Sequence, residues 1–323
     1  MADDTAATLM IRTTDYARNE QRLFRDKRFI FLGESIHGVA EFTQLREEIA
    51  ACYFDHAAVL IFEADSTGML FSHQHNESAL GRLKNFPKIL RTQETVSLLA
   101  WAISRDIPCL GIDPIPRRPL TDFTQQWHAI RHRETDDYSS AKSAGTLFAW
   151  RDASMAEKLI ALTSAYPRQR MLIMLHNLHI KRAGSRERAA LKLKSVREYF
   201  EEVFPGQSHS VAQLARSGSA LHNDLSPFSF HITDPQSAES LCGDAACTLL
   251  TAAEIPDTCI AWHHAFERET VTAKDQYEGC FIFNAVRPHQ LSFLTRVSSS
   301  IFSTSFIPLL TIRSSRITVP RVR

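Results

Sequence analysis

The sequence predicts an α/β protein with a mainly parallel central sheet flanked by helices. Between Phe29 and Lys181, short apolar runs of strand length alternate with longer segments in which apolar residues recur every three or four positions. The first pattern is typical of strands that are buried on both faces, and the second is typical of helices. Strands that alternate with helices favour a parallel sheet, because each parallel connection has to cross over the sheet.

Four strand-like runs carry this prediction. They are Phe29–Leu32, Ala57–Phe62, Pro108–Ile112 and Arg170–Leu175. Each run is followed by polar residues with acid or base side chains: Glu34 with His37, Glu63, Asp113, and His176 with His179. Since the carboxyl ends of parallel strands lie at one edge of a sheet, we expect these side chains to converge there.

Helical spacing fills the segments between the strands. The predicted helices are Asp15–Asp26, Val39–Cys52, Ser66–His75, Gly81–Leu90, Thr92–Ile103 and Thr146–Ala165. Pro87 is expected to interrupt the fourth of these, because proline lacks the amide proton that a helix interior needs. Thr92 is a typical N-cap for the fifth, since its hydroxyl can accept a hydrogen bond from an amide of the first turn. Residues 121–138 are charged and give no clear pattern.

Beyond Lys181 the patterns are weaker. A helix is predicted over Arg186–Val203, ended by Pro205-Gly206. Further strands are predicted over Ser210–Leu214, Cys259–Trp262 and Cys280–Asn284. We expect a single domain over residues 1–297, with a less regular C-terminal region of helices and strands. Residues 298–323 form a basic, Ser-rich tail that is predicted to be loosely ordered.

The composition narrows the classes of function. The chain has 323 residues, 44% of them hydrophobic, and 37 basic residues balance 36 acidic ones to a formal net charge of +1. That balance gives no reason to expect nucleic acid or an anionic surface as a partner. The first residues include Asp3 and Asp4 and no long apolar run, and no stretch approaches the roughly 20 apolar residues of a membrane span, so we expect neither a secretory signal nor a membrane protein. Six scattered cysteines without a C-x-x-C pair favour free thiols in the cytoplasm.

The turn Gly33–Gly38 joins the first strand to a helix and departs from two well-known motifs. Its glycines have the spacing of a phosphate-binding loop, but Val39-Ala40 stand where that loop has lysine and serine or threonine. The turn also imitates a nucleophile elbow around Ser35, although the elbow needs a small residue at the position of His37. The turn is therefore predicted to present an acid and a base, Glu34 and His37.

His37 could be a general base, a metal ligand or a cap of the following helix. An imidazole with an ordinary pKa of about 6.5 can remove a proton from water at neutral pH. A neighbouring carboxylate would fix its tautomer and stabilise the imidazolium. The pair His176-x-x-His179, with His37, Glu34 and Glu63, also offers enough donors for a zinc-like site, although no strong metal motif is present. The base and the metal ligand both remain open from the residues alone.

Two arginines are placed beside the predicted sheet. Arg46 flanks the apolar stripe of its helix, and if it turns inward it must pair with the strand-end carboxylates and keep them ionised. Arg151 and Asp152, on the long helix, are expected to form a pair that anchors this helix beside the sheet.

Together these motifs resemble the erythromycin esterase family, which includes hydrolases of macrolide lactones. The resemblance covers Phe29 to Lys181, in the family's order. It rests on Gly33-Glu34-Ser35-Ile36-His37-Gly38 with Glu41-Phe42, on Phe62-Glu63-Ala64, on Gly111-Ile112-Asp113, on Arg151-Asp152-Ala153-Ser154-Met155-Ala156 and on His176-Asn177-Leu178-His179-Ile180. The residues that correspond to the family's site are Glu34 and His37 as the catalytic pair, with Arg46, Glu63, His176 and His179. The resemblance implies the family's α/β fold and the hydrolytic opening of a macrocyclic ester without an obligatory metal.

The resulting hypothesis is a metal-independent hydrolase of carboxylic esters without a cofactor, with a small-molecule ester or lactone as its partner. His37 would take a proton from water, while Glu34 and Glu63 orient the imidazole and the water. His176 or His179 would stabilise the oxyanion or protonate the leaving alkoxide. One alternative is a divalent-metal hydrolase that uses the same cluster. Another is a non-catalytic protein that keeps the cleft to bind a ligand.

Overall fold

A computed structural model of the chain describes residues 14–54, 57–186, 193–264 and 267–292. Its centre is a sheet of seven strands. The strands of the described residues are β1 (Phe29–Glu34), β2 (Ala58–Asp65), β3 (Cys109–Asp113), β4 (Arg170–His176), β5 (Ser208–Ala215), β6 (Ser217–Leu221), β7 (Pro227–His231), β8 (Cys247–Thr251), β9 (Cys259–Ala261), β10 (Glu269–Val271) and β11 (Gly279–Phe283).

The central sheet has the order β3–β2–β4–β1–β5–β11–β8. Neighbouring strands are parallel from β3 to β11, and β8 at the edge is antiparallel to β11. The prediction of a mainly parallel α/β sheet is confirmed. The other strands form two separate ribbons, β6 with β7 and β9 with β10.

Helices lie on both faces of the sheet. The α-helices of the described residues are α1 (Thr14–Arg25), α2 (Ala40–Tyr53), α3 (Ser66–Gln74), α4 (Ala79–Leu83), α5 (Gln93–Ile103), α6 (Gln125–Ser143), α7 (Leu147–Ala165), α8 (Asn177–Ile180), α9 (Val196–Val203) and α10 (Ala273–Gln276). Among the described residues, no helix is both long and apolar enough to cross a lipid bilayer.

Strand β1 shows how the two faces are filled. Successive side chains of a strand point to opposite faces, so Ile30 and Leu32 pack with α2 and α5 in one core. Phe29 and Phe31 pack in the other core, where the ring of Phe200 from α9 meets Phe29 edge-on at 4.8 Å between centroids. Every residue of β1 is buried, as expected for a strand covered on both faces.

The structure confirms one predicted break and corrects one predicted helix. Residues 81–90 are interrupted as expected, since α4 ends at Leu83 and a short 3-10 helix, Lys88–Leu90, follows Pro87. The helix predicted over Arg186–Val203 begins only at Val196. Ser195 starts it with a capping box, in which its hydroxyl accepts a hydrogen bond from the Glu198 amide and the Glu198 carboxylate accepts one from the Ser195 amide. Residues 187–192 of that prediction lie outside the described ranges.

The strands of the C-terminal region were predicted in part. Strands β5 and β11 confirm the predictions over Ser210–Leu214 and Cys280–Asn284. The predicted strand Cys259–Trp262 is present as β9, but it pairs with β10 and does not join the central sheet. The strands β6, β7, β8 and β10 were not predicted, because short edge and ribbon strands lack the continuous apolar run of a buried strand.

Two glycines allow the turn after β1. A Cβ on Gly33 would lie 2.2 Å from Asn177 Oδ1 and 2.5 Å from a methyl carbon of Ile180, so α8 can pack on the strand end only because Gly33 has no side chain. Gly38 has a φ of +89°, a conformation that side chains other than hydrogen disfavour. Both glycines therefore help to hold His37 beside α8.

The cysteines agree with the expectation of free thiols. All six lie in the described ranges and none forms a disulfide; Cys52 is exposed and the others are buried. The predicted domain boundary after residue 297 and the predicted tail, residues 298–323, lie outside the described residues.

Candidate active site

The candidate site lies where the parallel strands end. In the register of the sheet, Glu34 of β1 is opposite His176 of β4, so residues far apart in the sequence become neighbours. Glu63 lies near the end of β2, the other neighbour of β4, and its Oε2 atom accepts a hydrogen bond of 2.8 Å from the His176 amide. The structure brings all six predicted residues together at this edge: Glu34, His37, Arg46, Glu63, His176 and His179.

His37 and Glu34 form the closest acid–base contact of this cluster. His37 Nδ1 lies 2.7 Å from Glu34 Oε1, and the side chain of His37 is 18% exposed while Glu34 is buried. Arg46 turns inward, which the sequence had left open, with its Nη1 atom 3.4 Å from Glu34 Oε2 and its Nη2 atom donating to the Leu175 carbonyl. Burial opposes the charge of Glu34, but Arg46 and His37 outweigh it and hold the pKa of this carboxyl below its usual value.

Glu63 lies between the strand ends and contacts several cluster members. Its Oε1 atom is 2.6 Å from Arg151 Nη2, 3.6 Å from His179 Nε2 and 3.9 Å from His37 Nε2. Burial opposes ionisation, but the Arg151 guanidinium and the imidazoles hold the pKa of Glu63 well below its usual value. Glu63 is therefore an ionised carboxylate that faces the open side of His37.

Arg151 has different partners from those expected. Its guanidinium donates to both oxygens of Asp113, at 3.1 Å from Nε and 2.8 Å from Nη2, and to Glu63, and not to Asp152. Burial would lower the pKa of Arg151, but the carboxylates of Asp113 and Glu63 outweigh burial and raise this pKa. The pKa of Asp113 falls to about 2 against the cost of burial, because of Arg151 and Arg117. A fixed positive charge thus stands where Glu63, Asp113 and His179 meet, which disfavours a metal cation among those three groups.

Asp152 pairs instead with His179. Its Oδ1 atom lies 2.7 Å from His179 Nδ1, and both side chains are buried. Burial favours the neutral imidazole, but Asp152 and Glu63 outweigh it and raise the pKa of His179 to about 9. Arg151 Nη1 is 3.2 Å from His179 Nε2, a contact that is a hydrogen bond only when Nε2 carries no proton. The two carboxylates make the protonated ring the dominant form at neutral pH.

His176 has the opposite charge state. It is half-buried, and its ring centroid lies 5.1 Å from that of His37. Burial and the neighbouring His37 hold the pKa of His176 well below its usual value. Its Nδ1 atom accepts a hydrogen bond from the Leu178 amide at 3.2 Å, so in the neutral ring the proton sits on Nε2. His176 is thus a neutral imidazole with an N–H donor to offer.

Asp113 and Arg151 complete the ion-pair cluster. Asp113 was expected at this edge of the sheet, whereas Arg151 was expected to pair with Asp152. The sequence did not assign His289 to the site. His289 lies buried behind the turn, with its Nε2 atom 3.0 Å from Thr43 Oγ1 and its amide donating to the Gly38 carbonyl. No local pattern marks His289, because the segment that carries it becomes part of the site only through tertiary packing.

A small cavity borders three of the six residues. It has a volume of about 20 Å³, is lined by Glu34, Glu63, Arg46 and apolar residues that include members of α5 and β4, and has room for roughly one water molecule. A separate cavity of about 460 Å³ lies beside α9 and β10 and includes none of the six predicted residues.

A second histidine cluster, formed by His263 and His264 with Glu269, adjoins the site. The connection is made by Asn177 of α8, which donates a hydrogen bond of 2.8 Å to the His263 carbonyl.

Comparison with known proteins shows the fold. No family model matches the sequence, and no curated protein matches it. Among solved structures, a Bacillus cereus protein matches with a TM-score of 0.66 and 11% identity over 89% of this chain and 94% of its own. A succinoglycan biosynthesis protein matches with a TM-score of 0.67 and 9% identity, over 88% and 95% of the two chains.

A mutant of the erythromycin esterase EreC in its open conformation also matches, with a TM-score of 0.60 and 11% identity over 86% of this chain and 96% of that chain. The chain is therefore an α/β protein with the erythromycin esterase-like fold. At this identity the likeness shows a relationship of fold and not membership of the family.

Proposed function

We propose that this protein hydrolyses carboxylic esters by direct attack of water, with His37 as the general base. The observation that carries the proposal is the contact of 2.7 Å between His37 Nδ1 and Glu34 Oε1. Because Glu34 is ionised and only accepts hydrogen bonds, Nδ1 must carry the proton of the neutral ring. The Nε2 lone pair is then available to take a proton, and Glu34 stabilises the imidazolium that results.

The position of Glu63 supports a bound water beside His37. His37 Nε2 and Glu63 Oε1 are 3.9 Å apart. Two acceptors that bind one water at ordinary distances lie roughly 4 Å apart, so a single water can donate one hydrogen to each of them. Both of its hydrogens would then point into the protein, and its lone pairs would face the incoming carbonyl carbon.

His176 supplies the donor for the developing oxyanion in this mechanism. Its neutral ring carries the proton on Nε2, since Nδ1 accepts from the Leu178 amide. His179 is buried and paired with Asp152, so it cannot reach a substrate and acts by holding Glu63 in place. Arg46 acts in the same way on Glu34.

The substrate class follows from the fold relatives and not from the shape of the site. The erythromycin esterase in the comparison has the same fold, and its name gives erythromycin as its substrate. We therefore propose that the partner of this protein is a small-molecule ester substrate. A macrocyclic lactone is the first choice within this class. Inactivation of a macrolide antibiotic would be the corresponding cellular role, in the cytoplasm.

The test compares His37→Ala with Ser35→Ala on an activated aryl ester and on erythromycin. His37→Ala is expected to lower kcat by at least about 100-fold, whereas Ser35→Ala keeps most of the activity. Ser35 is buried while His37 is accessible, which makes the serine a matched control within one turn. Loss of activity in the serine variant alone would overturn the water mechanism. Absence of turnover of every ester and lactone by the wild type, combined with a ligand-induced rise in Tm, would favour a binding protein instead.

A further inference from the structure

His263, His264 and Glu269 form a compact cluster of metal-donor atoms outside the proposed catalytic group. One donor atom from each residue lies within 4.8 Å of the other two. Glu269 Oε2 is 2.7 Å from His263 Nε2 and 3.6 Å from His264 Nδ1. The antiparallel ribbon of β9 and β10 creates this arrangement, because Glu269 is paired with Ala261, shortly before the two histidines.

The Nδ1 atom of His264 lacks a hydrogen-bond partner. His264 is 2% exposed, yet among the residues that the structure describes its Nδ1 atom makes no hydrogen bond. A buried polar atom without a partner costs free energy, and it calls for an explanation such as an ion or a water. This nitrogen faces the same carboxylate oxygen that His263 contacts.

We propose that His263, His264 and Glu269 bind a divalent transition-metal ion of the zinc type. Two imidazoles and one carboxylate are a donor set with which proteins bind zinc. The contact of 2.7 Å between His263 and Glu269 is then the hydrogen bond that closes the site when the ion is not bound, and binding places the ion between the two atoms.

Tyr277 allows His263 to change between these two states. The Tyr277 hydroxyl lies 2.8 Å from His263 Nδ1. Without an ion, His263 Nε2–H donates to Glu269 and Nδ1 accepts from the hydroxyl. With an ion, Nε2 binds the metal, the ring proton moves to Nδ1, and Nδ1–H donates to the same hydroxyl, which can act as donor or acceptor. In protein metal sites, the ring nitrogen of a histidine ligand that does not bind the metal usually forms a hydrogen bond of this kind.

Burial also suits this site. His263 is fully buried and His264 is 2% exposed, so these two donors lie inside the protein. The side chain of Glu269 is 10% exposed and lies on the outer side of the cluster.

The cluster is connected to the proposed catalytic group through Asn177. This buried side chain, next to His176, donates to the His263 carbonyl at 2.8 Å and to the Gln213 carbonyl at 3.2 Å. A metal ion would fix the β9–β10 ribbon against α8 and so support the position of His176. Its role in this proposal is structural, and it is independent of whether the protein is an esterase.

The test measures metal binding by the full chain after chelation and dialysis. Equilibrium dialysis against Zn²⁺ is expected to give one equivalent of bound zinc, and zinc is expected to raise the Tm. Glu269→Gln and His264→Ala should each weaken zinc binding by at least about tenfold and remove the rise in Tm. Tyr277→Phe should weaken binding by about 10-fold to 100-fold, since it removes only the outer partner.

The exposed His231 on β7 provides a matched control, and His231→Ala should bind zinc like the wild type. Glu269→Gln keeps the size of the side chain and an oxygen acceptor for His263, so it tests the site even if His264→Ala fails to fold. Absence of zinc binding in the micromolar range would overturn the proposal. Zinc binding that survives both site variants but is lost in His37→Ala would also overturn it, because the ion would then belong to the strand-end cluster.

Discussion

Arg151 Nη2 lies 2.6 Å from Glu63 Oε1 and 2.8 Å from Asp113 Oδ2, so one guanidinium of α7 joins the ends of β2 and β3. Both carboxylates are buried, and each needs a positive partner to remain ionised inside the protein. The ion pair therefore fixes α7 to the sheet and also sets the charge of Glu63 beside His37.

Arg151→Met should destabilise the protein by about 3–5 kcal/mol, because it leaves two buried carboxylates without their partner. The measurement is the free energy of unfolding from urea titration. Arg133→Met, at an exposed position of α6, is the control and should change stability by less than about 0.5 kcal/mol. A similar effect for both variants would contradict a central role for Arg151.

The pair of His179 and Asp152 predicts a loss of stability at alkaline pH. The pKa of His179 is raised to about 9 in the folded protein, so its contribution is fully present below the ordinary value of about 6.5 and is lost as the pH rises through 9. The change corresponds to roughly 3 kcal/mol. Unfolding free energies measured from pH 6 to pH 10 should show this decrease.

Asp152→Asn should flatten that pH dependence, since it removes the closest negative partner of His179. If the decrease between pH 6.5 and 9 is the same in the variant and the wild type, another group is responsible. A neutral His179 that accepts a hydrogen bond from Arg151 would produce that result.

His176 can be tested separately from the base. His176→Asn keeps an acceptor for the Leu178 amide, since asparagine is a good N-cap residue, but it is too short to present the Nε2 donor. It should lower kcat on an activated ester by about 100-fold to 1,000-fold with little change in KM, as expected for the loss of one oxyanion donor. A change confined to KM would place His176 in substrate binding.

Gly33→Ala should perturb the site through packing. The added Cβ would overlap Asn177 Oδ1 and Ile180, so α8 must move away from β1. We expect a loss of about 1–3 kcal/mol in unfolding free energy together with lower activity. Gly145→Ala is the comparison, because its Cβ meets no atom within 4 Å and only its φ of +70° opposes the change. Equal activity loss in both variants would argue against the packing explanation.

Much of the fold was visible in the sequence because buried parallel strands leave a strong local pattern. β1 to β4 coincide with apolar runs that end in polar residues, and the alternation of these runs with helices predicts a parallel sheet. Helix α6 left no clear pattern. The ribbon β6–β7 and strand β10 were not visible in this way. Strand β7 alternates between exposed and half-buried positions and β10 has only three residues, and local periodicity does not distinguish such segments from loops.

By itself, the sequence determined which acid and base residues stand at the strand ends, since strand periodicity and glycine positions are local properties of the chain. The six predicted site residues meet as a consequence of the parallel order. Only the tertiary structure decided the pairing: Arg151 with Glu63 and Asp113, and His179 with Asp152. It also placed Glu269 beside His263 and His264. Such contacts depend on how helices and ribbons pack on the sheet, and the spacing of residues along the chain does not record that packing.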